Sequence, residues 1–217
     1  MSRSVISNQN IFEYAVSHST PPDGVLQELI DETRESTGGA AGMQIGADQG
    51  AFMTILSGSL RPRFAVEVGT FTGYSSICIA RGLAPEGKLL CCDVSEEWTD
   101  IAQRYWSKAN LSDKIDLVLA PGVQTLKSLP SEETIDLAFI DGNHQKKPTI
   151  NYFEEILKYT NNNTIFIFDD IHWSDGMESA WEYIKAHEKT SLTIDLFFLG
   201  IVFVKSELSK ENFIIRF

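Results

Sequence analysis

Residues 64–75 read FAVEVGTFTGYS, which packs a strand, a glycine turn and the start of a helix into one short run. Phe64 to Val68 is apolar and β-rich apart from Glu67, the pattern of a strand buried on both faces. Gly69 and Gly73 interrupt it, and Tyr74 opens a segment of helical content that runs to Leu83. A glycine turn after a first parallel strand lets backbone approach a ligand closely. The spacing is G-x-x-x-G, not the G-x-G-x-x-G that sets a pyrophosphate against a helix N-terminus.

Outward from this run the same alternation repeats. KLLCCDV (88–94), IDLVLA (115–120), IDLAFID (135–141) and TIFIFDD (164–170) read as further buried parallel strands. Helical segments fall between and after them, over 96–110, 123–129, 147–159 and 177–187. The fold expected is therefore α/β, a doubly wound Rossmann-like sheet. TIDLFFLGIVFVK and NFIIRF, joined by SELSKE, suit an antiparallel C-terminal hairpin at the sheet edge. Upstream, helices over 23–35 and 47–60 flank the Gly-rich STGGAAGMQIG, which reads equally well as a lid or as a plain connection.

At 217 residues the chain suits one domain over 1–217, with N-terminal helices and lid over 1–60 and a catalytic core over 61–217. Composition shifts near Pro130: 12 of 15 glycines precede it, whereas 9 of 13 phenylalanines follow it. Two joined pieces would explain the shift, and so would functional glycines clustering early. No stretch approaches the roughly 20 apolar residues of a membrane helix. The N-terminus, broken by Asn8, Gln9, Asn10 and Glu13, lacks the pattern of a secretory leader, so a cytoplasmic location is expected. Cys78, Cys91 and Cys92 have neither metal-ligand spacing nor an even count, and read as buried, reduced core residues. A net charge of −12 disfavours a nucleic-acid partner, since such affinity comes largely from Lys and Arg meeting phosphates, and points to a small-molecule acceptor.

Glu67, near the end of the first strand, suits a cationic amine rather than a pyrophosphate. Asp93 ends the second strand, where a carboxylate can accept hydrogen bonds from both ribose hydroxyls. S-adenosylmethionine carries both groups. Each signal alone is weak, because a glycine pair is often a plain turn and a strand-end aspartate is often a helix cap.

Together these residues resemble the cation-dependent class I O-methyltransferases, which include the caffeoyl-CoA and catechol O-methyltransferases. The likeness covers roughly residues 43–175. EVGTFTGYS is close to that family's first motif, MQIGADQG (43–50) looks like the segment before it, and CDVSEEWTDIAQRYW (92–106) resembles its second strand and helix. The resemblance implies a sheet order of 3-2-1-4-5-7-6, a homodimer, and contacts to the methionyl part from Glu67, Gly69 and Ser75. It further implies Asp93 on the ribose, the turn of Gly122 and Val123 on the adenine, and Asp141 beside the cofactor as well as in the catalytic site.

In that strand order the fourth and fifth strands are neighbours, so Asp141, Asp169 and Asp170 converge. Three carboxylates repel one another unless they hold protons or a cation, and oxygen-only ligands select a hard ion such as Mg²⁺. The alternative is three strand-end aspartates that merely cap helices. A phenol titrates near 10, so a bound cation and a base are both useful for activating it. His144 is the candidate base, with a loop histidine of no role as the other reading.

Two departures from the catechol-type pattern stand out. That family commonly has a lysine as base and Asp-Asn as its second metal site. D-G-x-H and D-D here look more like a branch of sugar and macrolide O-methyltransferases, which makes a catechol acceptor less certain. His172 receives no chemistry, and Trp173 reads either as an acceptor wall or as core. The function expected is a metal-dependent O-methyltransferase for a hydroxylated, aromatic small molecule. The alternatives are a tRNA hydroxyuridine methyltransferase, a non-catalytic S-adenosylmethionine-binding protein and, third, a nicotinamide dehydrogenase.

Overall fold

A computed structural model describes residues 9–216, without the side chains of residues 9–12 and 15. Residues 1–8 of the N-terminal reading and Phe217 of NFIIRF lie outside the described residues. Three helices precede the sheet: α1 (Gln9–His18), α2 (Gly24–Thr37) and α3 (Ala47–Leu60), with a 3-10 helix over Gly38–Met43 between the last two. Then come β1 (Phe64–Val68), α4 (Tyr74–Ala80), β2 (Lys88–Asp93), α5 (Glu96–Lys108) and β3 (Ile115–Leu119). α6 (Gly122–Lys127), β4 (Ile135–Ile140), α7 (Lys146–Ile156) and β5 (Thr160–Asp169) continue the alternation. α8 (Asp175–Ala186), β6 (Leu192–Asp195), β7 (Leu199–Phe203) and β8 (Glu211–Ile214) follow.

Helix starts follow from local chemistry. Asp23, Ser95 and Ser174 each stand one residue before a helix and accept from a backbone N–H in its first turn, at 3.0, 3.4 and 3.2 Å.

The strands form one sheet in the order β3-β2-β1-β4-β5-β7-β6-β8, the expected order with β8 added. β1 to β5 pair in parallel, and β7 runs antiparallel to β5 and β6. The hairpin falls elsewhere than expected. TIDLFFLGIVFVK folds back on itself as β6 and β7, and β8 lies parallel to β6 instead of antiparallel to a single long strand. The reversal has no Gly or Pro to announce it. Asp195 makes an Asx turn instead, its carboxylate accepting from Phe197 N–H at 2.7 Å while Phe197 takes φ +76°.

Alternation along each strand sends side chains to two cores. Ala65, Leu89, Cys91, Phe139 and Ile167 pack beneath α2, α3, α4 and α5 on one face. Val66, Val68, Cys92, Ile140 and Phe168 pack against α6, α7 and α8 on the other, with Phe153 and Trp181 filling the layer. Cys91 and Cys92 therefore point to opposite faces, and all three cysteines are free and buried.

α2 reaches across to the first glycine turn. Leu26 and Leu29 bury against the first core, and Thr33 Oγ donates to Thr72 Oγ at 2.9 Å in a buried contact. Exposed ion pairs such as Arg104 with Glu32 add little in water, so the buried leucines carry this docking.

Candidate active site

Because β1, β2, β4 and β5 are parallel, their C-terminal ends share one edge of the sheet. Backbone strain collects there. Phe71, Asn143, Asp170 and Phe197 have positive φ, as do Gly69 and Gly73. Each such non-glycine costs roughly 1–2 kcal/mol, a burden found mostly where geometry serves a ligand.

The turn over residues 69–73 is held by Asp93. Its Oδ2 accepts from Thr70 N–H at 2.8 Å and Phe71 N–H at 2.9 Å, while Oδ1 accepts from Val94 N–H and Ser95 N–H at 2.6 and 2.9 Å. This carboxylate thus ties the β1 turn to the start of α5 in addition to any ligand it meets. A cavity opens above the turn, lined by Met43, Gln44 and Ile45, by residues 70–75, and by Asp141. The 3-10 helix of the Gly-rich linker ends at Met43, in the cavity wall. Ser75 and Asp141 are in this lining, whereas Glu67, Gly69, Asp93, Gly122 and Val123 are outside it. Gly122 and Val123 open α6, with Gly122 packed closely on Val68.

Glu67 lies one layer below, fully buried, with its Oε2 accepting from Ser76 Oγ and Cys91 Sγ and its Oε1 lacking a hydrogen-bond partner. Burial pushes its pKa up from 4.5 to about 7, against the opposing pull of those hydrogen bonds. A carboxyl held more tightly protonated in the fold contributes stability that is fully present below 4.5 and is lost as pH rises through about 7. Glu67→Gln should therefore stabilise the ligand-free protein at pH 8 by on the order of 3 kcal/mol, seen as a higher melting temperature. The gap to wild type should open between pH 4.5 and 7, and melting curves across that range check it. An unchanged wild-type decline in the variant would assign it to other groups.

At the ends of β4 and β5 the acidic residues do meet. His144 bridges two of them, with Nε2 3.0 Å from Asp141 Oδ1 and Nδ1 3.6 Å from Asp170 Oδ2. Asp169 Oδ1 accepts from Asp170 N–H at 2.9 Å and from Gln49 Nε2 at 3.2 Å. Asp169 and Asp170 are both 2% exposed. Burial, then the charges of Asp141 and Asp170, hold the Asp169 carboxyl well above the usual carboxylate range. Three carboxyl groups crowd round one imidazole here, and their all-oxygen donor set has the chemistry of a Mg²⁺ or similar site. The His144 imidazole spans Asp141 and Asp170. Among the described residues no group of three or more His, Cys, Asp or Glu side chains is set to hold an ion.

Some participants escape sequence reasoning. Gln49 lies in MQIGADQG, where its acceptance from Gly46 N–H at 2.9 Å marks a helix start, but nothing local announces its reach to Asp169. A second recess, beside Asp170, is walled by His172, Trp173, Phe197 and Phe198. Trp173 is 60% exposed, which rules out the core reading.

The model of the O-methyltransferase family matches residues 16–193. The chain belongs to that family. The match crosses Pro130, where the composition changes. Among similar sequences is "Probable caffeoyl-CoA O-methyltransferase 2" of Dictyostelium discoideum, 34% identical over 167 residues, covering 76% of this chain and 71% of that one. The catechol O-methyltransferase of Mycobacterium tuberculosis is 27% identical over 133 residues, covering 61% and 59%. Among solved structures, the O-methyltransferase from Bacillus cereus in complex with SAH superposes with a TM-score of 0.74 at 25% identity, covering 89% of this chain and 97% of that one. This O-methyltransferase is thus an S-adenosylmethionine-dependent enzyme of the caffeoyl-CoA and catechol type.

Proposed function

We propose that this O-methyltransferase methylates a hydroxyl of a small aromatic acceptor, with Asp141, Asp169 and Asp170 holding a divalent cation such as Mg²⁺ and His144 as the base. The observation that carries this reading is His144 set between Asp141 and Asp170, at the same sheet edge as the cavity over residues 70–75. The methyl donor is assigned to that cavity, with Glu67, Gly69 and Ser75 toward its methionyl part. Asp93 is assigned to the ribose, and Gly122 and Val123 to the adenine. Asp141 stands where the donor's cavity and the acidic cluster adjoin.

An ionised Asp141 can only accept, so the hydrogen between it and His144 sits on Nε2, and Nδ1 keeps its lone pair. Nδ1 then takes the acceptor's hydroxyl proton, and the resulting imidazolium is stabilised by Asp141 and Asp170 together. The acceptor oxygen bonds to the methyl carbon in line as the carbon–sulfur bond breaks, and sulfur keeps that electron pair. A bound divalent cation would lower the pKa of the hydroxyl. The recess between Trp173 and Phe197 takes the acceptor ring, for which flat aromatic walls are suited.

The reading includes a homodimer, suggested by the family resemblance, one domain over residues 1–217, suggested by chain length, and a cytoplasmic place of work, suggested by the N-terminal pattern. Among the described residues no helix is long and apolar enough to cross a membrane. The charge of −12 argues against an RNA acceptor. Calorimetry should detect S-adenosylmethionine binding. EDTA should abolish turnover of 3,4-dihydroxybenzoate and Mg²⁺ should restore it, whereas EDTA-insensitive turnover would remove the cation from the reading.

A further inference from the structure

β8 is an odd strand. All its residues, Glu211 to Ile214, are exposed, so it contributes little apolar burial to the sheet it joins. What it does is carry the chain back to Asp195. Ile215 N–H donates to Asp195 O at 2.9 Å. The Arg216 guanidinium then donates through Nη1 to the same carbonyl at 2.6 Å and through Nη2 to Asp195 Oδ1 at 2.8 Å. This fork grips backbone and carboxylate of one residue at once, which a lysine's point charge cannot reproduce.

Asp195 in turn holds both walls of the recess beside Asp170. Its Oδ2 lies 2.8 Å from His172 Nε2, and its Oδ1 accepts from Phe197 N–H at 2.7 Å. The Arg216 guanidinium also sits 5.4 Å from the centre of the Phe197 ring, and the His172 and Phe197 rings lie 5.3 Å apart. The second nitrogen of His172 reaches Glu178 at 3.3 Å, so the imidazole is tethered at both ends. Asp195 is 6% exposed, and a carboxylate so enclosed keeps its charge and orientation only while cationic donors face it.

We propose that Arg216, delivered by β8, is a positioning residue for the acceptor: acting through Asp195, it fixes His172 and Phe197 and so the width of the slot they form with Trp173. The proposal rests on the assignment of that recess to the acceptor ring. It makes the C-terminal segment a determinant of acceptor fit, with no part in donor binding, which the proposed function assigns to the cavity over residues 70–75.

The test compares wild type with Arg216→Ala and Arg216→Lys in the full chain. The chain has four histidines, so the ¹H–¹⁵N imidazole signals can be assigned, using His172→Gln for the one of interest. Wild type should show a protected Nε2 proton on His172, lost in Arg216→Ala and partly recovered in Arg216→Lys. With Mg²⁺ and 3,4-dihydroxybenzoate, Arg216→Ala should raise the acceptor KM about tenfold, the scale of one lost charge-assisted hydrogen bond. The kcat and the S-adenosylmethionine Kd should stay within about twofold. An unchanged His172 signal in Arg216→Ala overturns the proposal whatever the activity, as does a parallel loss of donor affinity, which would mark general destabilisation. A KM unmoved in Arg216→Ala but raised in Trp173→Ala overturns it while leaving the recess as the acceptor site. A KM unmoved in both variants faults the recess assignment itself, and the proposal falls with it.

Discussion

Asp141→Asn should cost this O-methyltransferase roughly a thousandfold in methyl-transfer rate, the scale of a lost acid–base element. On the proposed reading Asp141 orients the His144 ring through the 3.0 Å contact to Nε2 and would supply charge that stabilises the imidazolium. An asparagine keeps the shape but presents no anion and can offer its N–H₂ to the ring, which favours the wrong tautomer. The fold should not suffer. The Asp141 charge is one of the two that raise the Asp169 carboxyl, and removing it relieves that repulsion. Single-turnover rates with saturating S-adenosylmethionine, beside melting curves, check both halves. A rate within tenfold of wild type would take Asp141 out of the chemistry.

The second large effect is expected from a single methyl group. Gly69 has φ +90°, and a Cβ there would meet Asp141 O at 2.4 Å, Asp141 C at 2.7 Å and Gly142 N at 2.9 Å. All three are backbone atoms, so no side-chain rotation relieves the clash. Gly69→Ala therefore combines left-handed strain with overpacking, on the order of 3 kcal/mol in total. It also drives the β1 turn away from the start of the Asp141 loop, the two segments between which donor and acceptor must be aligned. The expected result is a lower melting temperature together with S-adenosylmethionine binding too weak for calorimetry. Wild-type binding in Gly69→Ala would show that the two loops tolerate separation.

These two positions also mark how far local pattern reaches. Gly69 is readable because a buried apolar run ending at a glycine has few other meanings, and Asp141 because it ends a run of the same kind. The alternation of strands and helices and the opposed faces of Cys91 and Cys92 were legible for the same reason, whereas the order of the sheet came from the family resemblance. Asp93 was visible as a strand-end carboxylate, but its four backbone donors were not. Backbone N–H groups leave no trace in residue type, and only the folded turn shows how many point at one oxygen pair.

The C-terminal third was less legible. A long apolar run with no Gly or Pro at its bend reads as one strand, and the Asp195 turn that splits it depends on a side chain bonding its own backbone. Misplacing that bend hides the recess, because Phe197 and Phe198 face Trp173 only when the chain reverses there.

The sequence alone therefore determined what repeats or punctuates over a few residues: the doubly wound sheet, the EVGTFTGYS turn and the acidic strand ends. Tertiary structure decided which distant side chains share a place. Gln49 meets Asp169 across 120 residues, His144 comes between Asp141 and Asp170, and Arg216 closes on Asp195. Strand period and turn chemistry are written in neighbouring residues, whereas these contacts depend on the register in which separate elements pack, a property of the whole chain.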